Sequence, residues 1–322
     1  MTKFFVALVV AYAYALVAFP LLRCPGRFGR LLGIYAALVE IACPLIIGAD
    51  QLVLRGIAEF ICVDLCFKMI DYSRQSHARN VAATPFRMYL RMLPPFPVLA
   101  VVFGDREKRL LSRPPLGREL AIVGLTGCIV FGAFPAVIFA SGLTTLRECF
   151  PLNHAVKVAM FLAMIEALSR LLTGLERLAG YKIAPLIDRC YLSTTPGEFW
   201  RRYNKRVGKW LYLNVFLPSG GRRAPIRGIF ATFFVSAVLH EVAFAIATSR
   251  FAGYQFTFFM LQAPAVAVLG WLQPTIDRSG LVVRTIARCA TILWFYFTSV
   301  FFFEGVNRIF PFVYGAKPWL PW

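Results

Sequence analysis

Runs of about 20 apolar residues, the length a helix needs to cross the hydrocarbon core of a bilayer, recur along this chain. Eight can be marked: 4–22, 31–49, 52–70, 120–140, 156–175, 226–248, 256–272 and 283–303. Backbone in lipid must satisfy its own hydrogen bonds, so such a segment folds as a helix. The expected fold is all-α: a polytopic integral membrane protein of about eight transmembrane helices with interfacial helices on the cytoplasmic side. A single domain over 1–322 accounts for the whole chain. The 59% hydrophobic content agrees, since soluble domains are about 45–50% apolar. The first run has no A-x-A-like cleavage site and reads as a membrane helix rather than a signal peptide.

The net charge of +19 comes from 35 basic and 16 acidic residues, and the basic ones concentrate between the apolar runs. There they suit the positive-inside rule, anionic headgroups or a phosphorylated substrate, and nucleic acid is a poor partner. With eight spans, one side carries Arg23, Arg27 and Arg30, then Arg74 through Arg118, Lys182 through Arg227, and Arg278. The other side holds little more than Lys3, Arg147, Arg250, Arg308 and Lys317. This asymmetry puts the basic connections in the cytoplasm and both termini outside, in a bacterial inner membrane or the endoplasmic reticulum. Two cytoplasmic connections are long: 73–118, with a proline-rich apolar patch at 92–97, and 180–225. The eight cysteines sit mostly inside apolar runs and form no CxxC pair, so packing is expected, without a disulfide framework or zinc site.

Segment 195–216 begins with a helix-start signature. Thr195 can cap, Pro196 suits the first helical position, and Glu198 can close a capping box. A single interfacial helix is expected to run until Pro218. Trp200, Tyr203, Val207, Trp210, Leu211 and Val215 share its apolar face, while Arg201, Arg202, Lys205, Arg206 and Lys209 spread over the opposite one. The cations can anchor the helix beside anionic lipid or bind a phosphorylated ligand, with Arg222 and Arg223 extending the surface. Asn204 falls on the apolar side, where an amide needs a partner or a function, and Asn214 lies near the same face.

His240 stands in the middle of the apolar run 226–248, roughly 20 Å along a helix from Arg227 at about 1.5 Å per residue. The other two histidines, His77 and His154, fall in or beside polar connections. An imidazole at bilayer depth is expensive, and burial favours the neutral form that a general base needs. Its face carries Ile229, Phe233, Ser236, Ala237, Ala243, Phe244 and Ala247. The plainer alternative is a histidine that bridges two helices by hydrogen bonds. Glu241 is turned about 100° away and could pair with an arginine or orient polar groups. Asp64 with Lys68 and Glu166 with Arg170 are i,i+4 pairs, whereas Glu40, Glu59 and Glu304 have no obvious local partner. The chain has no HxxxxD, GxSxG, Walker A or HExxH motif.

The stretch Thr195-Pro196-Gly197-Glu198-Phe199-Trp200-Arg201-Arg202-Tyr203-Asn204, then Val215-Phe216-Leu217-Pro218, then 232–241 ending Val238-Leu239-His240-Glu241, resembles the wax synthase branch of the membrane-bound O-acyltransferase family. The segment 301–306, Phe-Phe-Phe-Glu-Gly-Val, is similar to that branch's last-helix region. The resemblance covers about the C-terminal 40% of the chain, with the motif-bearing core at about 180–310. Arg201 stands where glycine is usual, Tyr203 where tryptophan is, and Ala237 where glycine is.

The resemblance implies acyl transfer from acyl-CoA, a co-substrate, to the hydroxyl of a lipophilic alcohol, with no metal or other cofactor. His240 would be the base and Asn204 would position substrate or stabilise the thioester oxyanion. Trp200, Arg201, Arg202, Lys205, Lys209 and Ser236 would bind substrate, the cations holding the phosphates of CoA. Sterol, glycerolipid or polysaccharide acceptors are alternatives within the fold. A proton-coupled transporter using Glu40, Glu59, Glu241 and Glu304 is the alternative from another class. The sequence leaves the oligomeric state open.

Overall fold

The computed structural model describes residues 1–78, 86–94, 116–180, 184–311 and 313–314. Among these the secondary structure is entirely helical, as expected. The α-helices in order are α1 (Thr2–Val17), α2 (Phe19–Leu22), α3 (Gly26–Val39), α4 (Leu52–Ala78), α5 (Phe86–Met92), α6 (Leu116–Gly142) and α7 (Thr144–Glu148). They continue with α8 (Phe150–Leu178), α9 (Pro196–Arg202), α10 (Lys205–Leu211), α11 (Pro225–Thr248), α12 (Tyr254–Leu269), α13 (Gln273–Arg278) and α14 (Leu281–Ile309). A 3-10 segment, Glu40–Ile46, extends α3.

Among the described residues, five helical segments are long and apolar enough to cross a bilayer: Gly26–Ile46, Leu116–Gly142, Phe150–Leu178, Pro225–Thr248 and Leu281–Ile309. The other three apolar runs also fall in helices, but their chemistry differs. α1 and α12 have 16 residues each; at 1.5 Å per residue that is about 24 Å, short of the roughly 30 Å hydrocarbon core. α4 is long but carries Arg55, Glu59, Asp64, Lys68, Asp71 and Arg74.

The chain divides into two compact units. The first comprises Met1–Lys108 with Val242–Phe251. Its core forms where small residues let helices approach: Ala7, Ala11 and Ala15 recur every fourth residue on α1 and are buried. The Tyr14 hydroxyl donates to the Ala36 carbonyl (2.8 Å) and the buried Tyr89 hydroxyl to that of Ala15 (2.7 Å). Phe19, Tyr72, Phe86 and Tyr89 interlock as an aromatic cluster. The expected Asp64–Lys68 pair forms at 2.5 Å, and Lys68 also donates to the Pro94 carbonyl (2.9 Å). The rest of the proline-rich patch, and the His77 side chain, lie outside the described residues.

The second unit comprises Arg109–Glu241 with Ala252–Trp322. In it α6 and α8 pack along their lengths, closely enough at Gly174 that a Cβ there would stand 2.7 Å from Val123 Cγ2. The Lys157 ammonium is buried and donates to the Val137 carbonyl (2.9 Å) and to Ser141 Oγ (2.5 Å) on α6. Outward faces stay apolar: Leu125, Phe131, Phe134, Ile138 and Phe139 on α6 are exposed, as lipid-facing side chains are.

Three sequence expectations are corrected. His154 is not in a polar connection, because α8 begins six residues before the apolar run; it is buried, with Nδ1 on the Tyr314 hydroxyl (2.5 Å) and Nε2 on the Tyr296 carbonyl (2.8 Å) and Ser299 Oγ (3.1 Å). Arg308 is no loop charge, because α14 runs on to Ile309, and it pairs with Glu304 one turn back (3.4 Å). Glu304 therefore has a local partner at the i,i+4 spacing, which correcting the end of this helix from 303 to Ile309 brings to light. The Glu166–Arg170 pair forms as expected (2.8 Å).

One buried ion pair ties α10 to α8. Arg206 grips the Glu176 carboxylate with two guanidinium nitrogens, the Nη1 contact at 2.6 Å. Both side chains are buried, 8% and 1% exposed. Removing one member of such a pair strands the other charge, at a cost of about 3–5 kcal/mol. Glu176→Gln is accordingly expected to lower the thermal unfolding midpoint in detergent well below that of the parent protein, as followed by loss of helical circular dichroism.

Candidate functional site

The basic segment starts as the sequence dictates. Thr195 is extended, and its Oγ1 accepts the Glu198 N–H (3.1 Å), while Pro196 occupies the first helical position. Glu198 reaches back one residue further than a simple capping box, accepting the Thr194 N–H (2.7 Å) and Thr194 hydroxyl (2.9 Å). The Thr195 hydroxyl also donates to Gln273 Oε1, and Gln273 Nε2 donates to Asp277 (2.9 Å), so α13 pins the start of α9.

The continuous helix expected to Pro218 is not found. α9 ends at Arg202, Tyr203 is extended, and Asn204 adopts left-handed backbone geometry (φ 43°) before α10 starts. Asparagine is one of the few side chains that tolerates this conformation and also caps helices well. Its Oδ1 accepts the Val207 N–H at 3.4 Å. The loop before α9 locks the break from the other side: Lys205 N–H donates to the Leu186 carbonyl (2.7 Å), and Asp188 N–H to the Arg202 carbonyl (3.0 Å). After α10 the chain widens into a π-helical turn, Tyr212–Phe216. There the Asn214 amide is spent on the Trp210 carbonyl (3.0 Å).

The cations of this segment divide. Arg202 pairs with Glu198 (2.6 Å), Lys205 with Asp188 (2.6 Å), and Arg206 is consumed by Glu176. Arg201 and Lys209 point outward and are exposed, as are Arg222 and Arg223. Burial pushes the Glu198 carboxyl up, but the Thr194 hydrogen bonds and the Arg202 guanidinium outweigh it and hold it below the usual carboxylate range. The hydrogen bond from Lys205 likewise holds Asp188 low.

Trp200 leaves α9 on the opposite side and enters a buried aromatic cluster. Its ring lies against Phe233 of α11 (5.6 Å between centroids), Phe259 of α12 (5.7 Å) and Phe295 of α14 (6.0 Å). Its indole Nε1 is buried with no hydrogen-bond partner among the described residues. A buried donor without an acceptor costs free energy unless a ligand supplies one.

His240 sits over the same cluster, its ring 4.0 Å from that of Phe259. Its Nδ1 is 2.8 Å from the Ser236 carbonyl and 3.5 Å from Ser236 Oγ. A carbonyl oxygen only accepts, so Nδ1 carries the proton and Nε2 keeps its lone pair. Ser236 thus acts chiefly through its backbone, one turn before the ring it orients.

Glu241 has a duty the sequence left open. Its carboxylate accepts the N–H groups of Ala252 (2.9 Å), Gly253 (2.6 Å) and Phe256 (3.1 Å), capping the N-terminus of α12. An anion there meets the positive end of the helix dipole. The cap fixes α11 against α12, and hence His240 against Phe259. Trp200 and His240 therefore converge on one ring, whereas Asn204 stays at the α9–α10 break with no hydrogen bond to His240.

Glu198 gives the segment an acid limit. A carboxyl held low in the fold contributes its full stability above its unfolded pKa, about 4.3, and loses it as pH falls through the depressed value. The unfolding midpoint of the parent protein is expected to fall more steeply with pH below about 4.3 than that of Glu198→Gln, which has no proton to take up there.

Residues 147–307, which contain α8 through most of α14, match the membrane-bound O-acyltransferase family. The chain is 32% identical over 102 residues to diacylglycerol O-acyltransferase 1 of Arabidopsis thaliana, covering 31% of this chain and 18% of that protein. It is 27% identical over 168 residues to probable sterol O-acyltransferase 2 of Schizosaccharomyces pombe, covering 45% and 36%. Probable long-chain-alcohol O-fatty-acyltransferase 2 of Arabidopsis thaliana is 29% identical over 182 residues, covering 50% and 51%. The matched regions thus span from under a fifth to about half the length of these relatives. With half of the chain matched by the family and several long apolar helices in the fold, this chain belongs to the membrane-bound O-acyltransferases, a family of multi-pass membrane proteins.

Proposed function

We propose that this protein moves a fatty acyl group from acyl-CoA to the hydroxyl of a lipophilic alcohol, forming a wax-type ester. The observation that carries the reading is His240, whose Nδ1–H is committed to the Ser236 carbonyl and whose Nε2 is left basic within an apolar span. In the proposed step Nε2 takes the hydroxyl proton as the alcohol oxygen attacks the thioester carbon. The carbon–sulfur bond then breaks, and the imidazolium returns the proton to the CoA thiolate.

The unpartnered indole N–H of Trp200 and the Asn204 amide are the proposed donors to the carbonyl oxygen as it gains charge. Exposed Arg201 and Lys209 are the proposed contacts for the CoA phosphates. Arg202 and Lys205, already paired with carboxylates, would contribute more to holding the segment than to substrate. No metal or further cofactor is needed for this chemistry. The proposal includes eight membrane crossings, with the basic connections and the acyl-CoA entry on the cytoplasmic side.

An alcohol acceptor is favoured over a diacylglycerol because the long-chain-alcohol relative matches half of this chain and the Arabidopsis diacylglycerol relative 31% of it; the sterol relative matches 45%, so a sterol is the second acceptor the assay has to separate. A transporter built on four glutamates loses support, since Glu241 caps α12 and Glu304 pairs with Arg308.

The test is ester formation by purified protein from labelled acyl-CoA and a panel of alcohols, sterols and diacylglycerols. His240→Ala is expected to fold and to lose about 10²–10⁴-fold in turnover. Asn204→Gly keeps the left-handed backbone and most of the cap, so its unfolding midpoint should stay close to the parent's, while turnover should fall about 10²–10³-fold if the amide serves the oxyanion. Full turnover in the histidine variant would sink the mechanism, and full turnover in the glycine variant would reduce Asn204 to a cap.

A further inference from the structure

The first unit contains a cavity of about 300 Å³ that the acyl-transfer chemistry does not use. Leu45, Ile246 and Phe251 form its apolar walls, and Arg55, Ser249 and Arg250 supply its polar end. Arg55 is 4% exposed. It leaves α4 and donates from Nη1 to Ser249 Oγ at 2.6 Å, while its Nε is buried with no hydrogen-bond partner among the described residues. Glu59, one turn further along α4, makes no hydrogen bond to it, since both of its oxygens are also without partners. Ser249 itself is held at φ 60°, a conformation serine rarely adopts. The polar end is therefore a buried guanidinium presented by a constrained residue, with donor capacity unspent.

We propose that this cavity binds an anionic phospholipid of the surrounding membrane, the phosphate on Arg55 and Arg250 and an acyl chain along Leu45, Ile246 and Phe251. The walls suit a lipid: Leu45 is 54% and Phe251 74% exposed, so the apolar surface runs from the cavity onto the outside of the unit. The charge selects the head. Two arginines and no carboxylate are among the described residues that line the cavity. A zwitterionic head would bring its own cation to two guanidinium groups, whereas an anionic one would not. Guanidinium groups also match phosphate oxygens with paired hydrogen bonds.

The inference concerns lipid binding and stands whichever acyl acceptor the protein uses. Its test uses the full chain in neutral detergent, titrated with phosphatidylglycerol, phosphatidylcholine or oleate while the thermal unfolding midpoint is followed. Phosphatidylglycerol should raise the midpoint at lower concentration than phosphatidylcholine does. Arg250→Gln should require about tenfold more phosphatidylglycerol, the loss expected for one charge-assisted hydrogen bond. Arg55→Gln should weaken the response further; should it fail to fold, Arg250→Gln alone decides. An unchanged phosphatidylglycerol response in Arg250→Gln overturns the proposal, as does equal stabilisation of the parent protein by phosphatidylcholine. A stronger, arginine-dependent response to oleate would overturn it too, giving the cavity to a free fatty acid.

Discussion

A polar group carried among apolar helices has to find its partner inside the protein, because lipid offers none. This constraint organises the second unit from end to end. Glu241 takes three backbone N–H groups at the start of α12, Glu176 holds Arg206, Lys157 feeds two acceptors on α6, and His154 is engaged at both nitrogens. Each contact removes a desolvation cost and at the same time fixes one helix against another. The packing of Phe, Trp and Tyr rings fills the space between these ties without specifying it as sharply.

Against that background the few unsatisfied groups become informative. His240 spends Nδ1 on its own helix and leaves Nε2 open, and the Trp200 indole N–H nearby has no partner among the described residues. Both face the Phe259 ring from different elements. Two open polar atoms that converge on one aromatic ring from different helices form a place suited to a ligand's polar atoms. Acyl transfer supplies such atoms: a hydroxyl for the imidazole and a carbonyl oxygen for the donors.

The break at Tyr203–Asn204 changes how the basic segment is understood. One long amphipathic helix would have displayed its cations as a single stripe. Two short helices joined through a left-handed asparagine instead turn Arg206 inward to Glu176 and Lys205 toward Asp188. What remains outward is a smaller set, Arg201 and Lys209 with Arg222 and Arg223 in the following turn. Asn204 then has a structural duty that is evident and a chemical one that is proposed.

The sequence by itself determined the helical class, the apolar segments, the cap at Thr195 and the place of His240 within an apolar span; Asn204, read as an amide on the apolar face of one helix, is instead the left-handed residue between two. Those features are local: hydrophobic length, capping residues and a titratable side chain within an apolar run can be read without knowing any neighbour. The tertiary structure decided the rest. Glu241 meets the α12 N-terminus only because the chain turns back after Thr248, and the 195–216 helix breaks because Leu186 and Asp188 compete for its backbone. Trp200 of α9 and His240 of α11 meet at the Phe259 ring of α12, so three helices have to pack before the two share a neighbour. Which polar groups are satisfied and which are left for substrate depends on partners distant in sequence, and spacing along the chain does not carry that information.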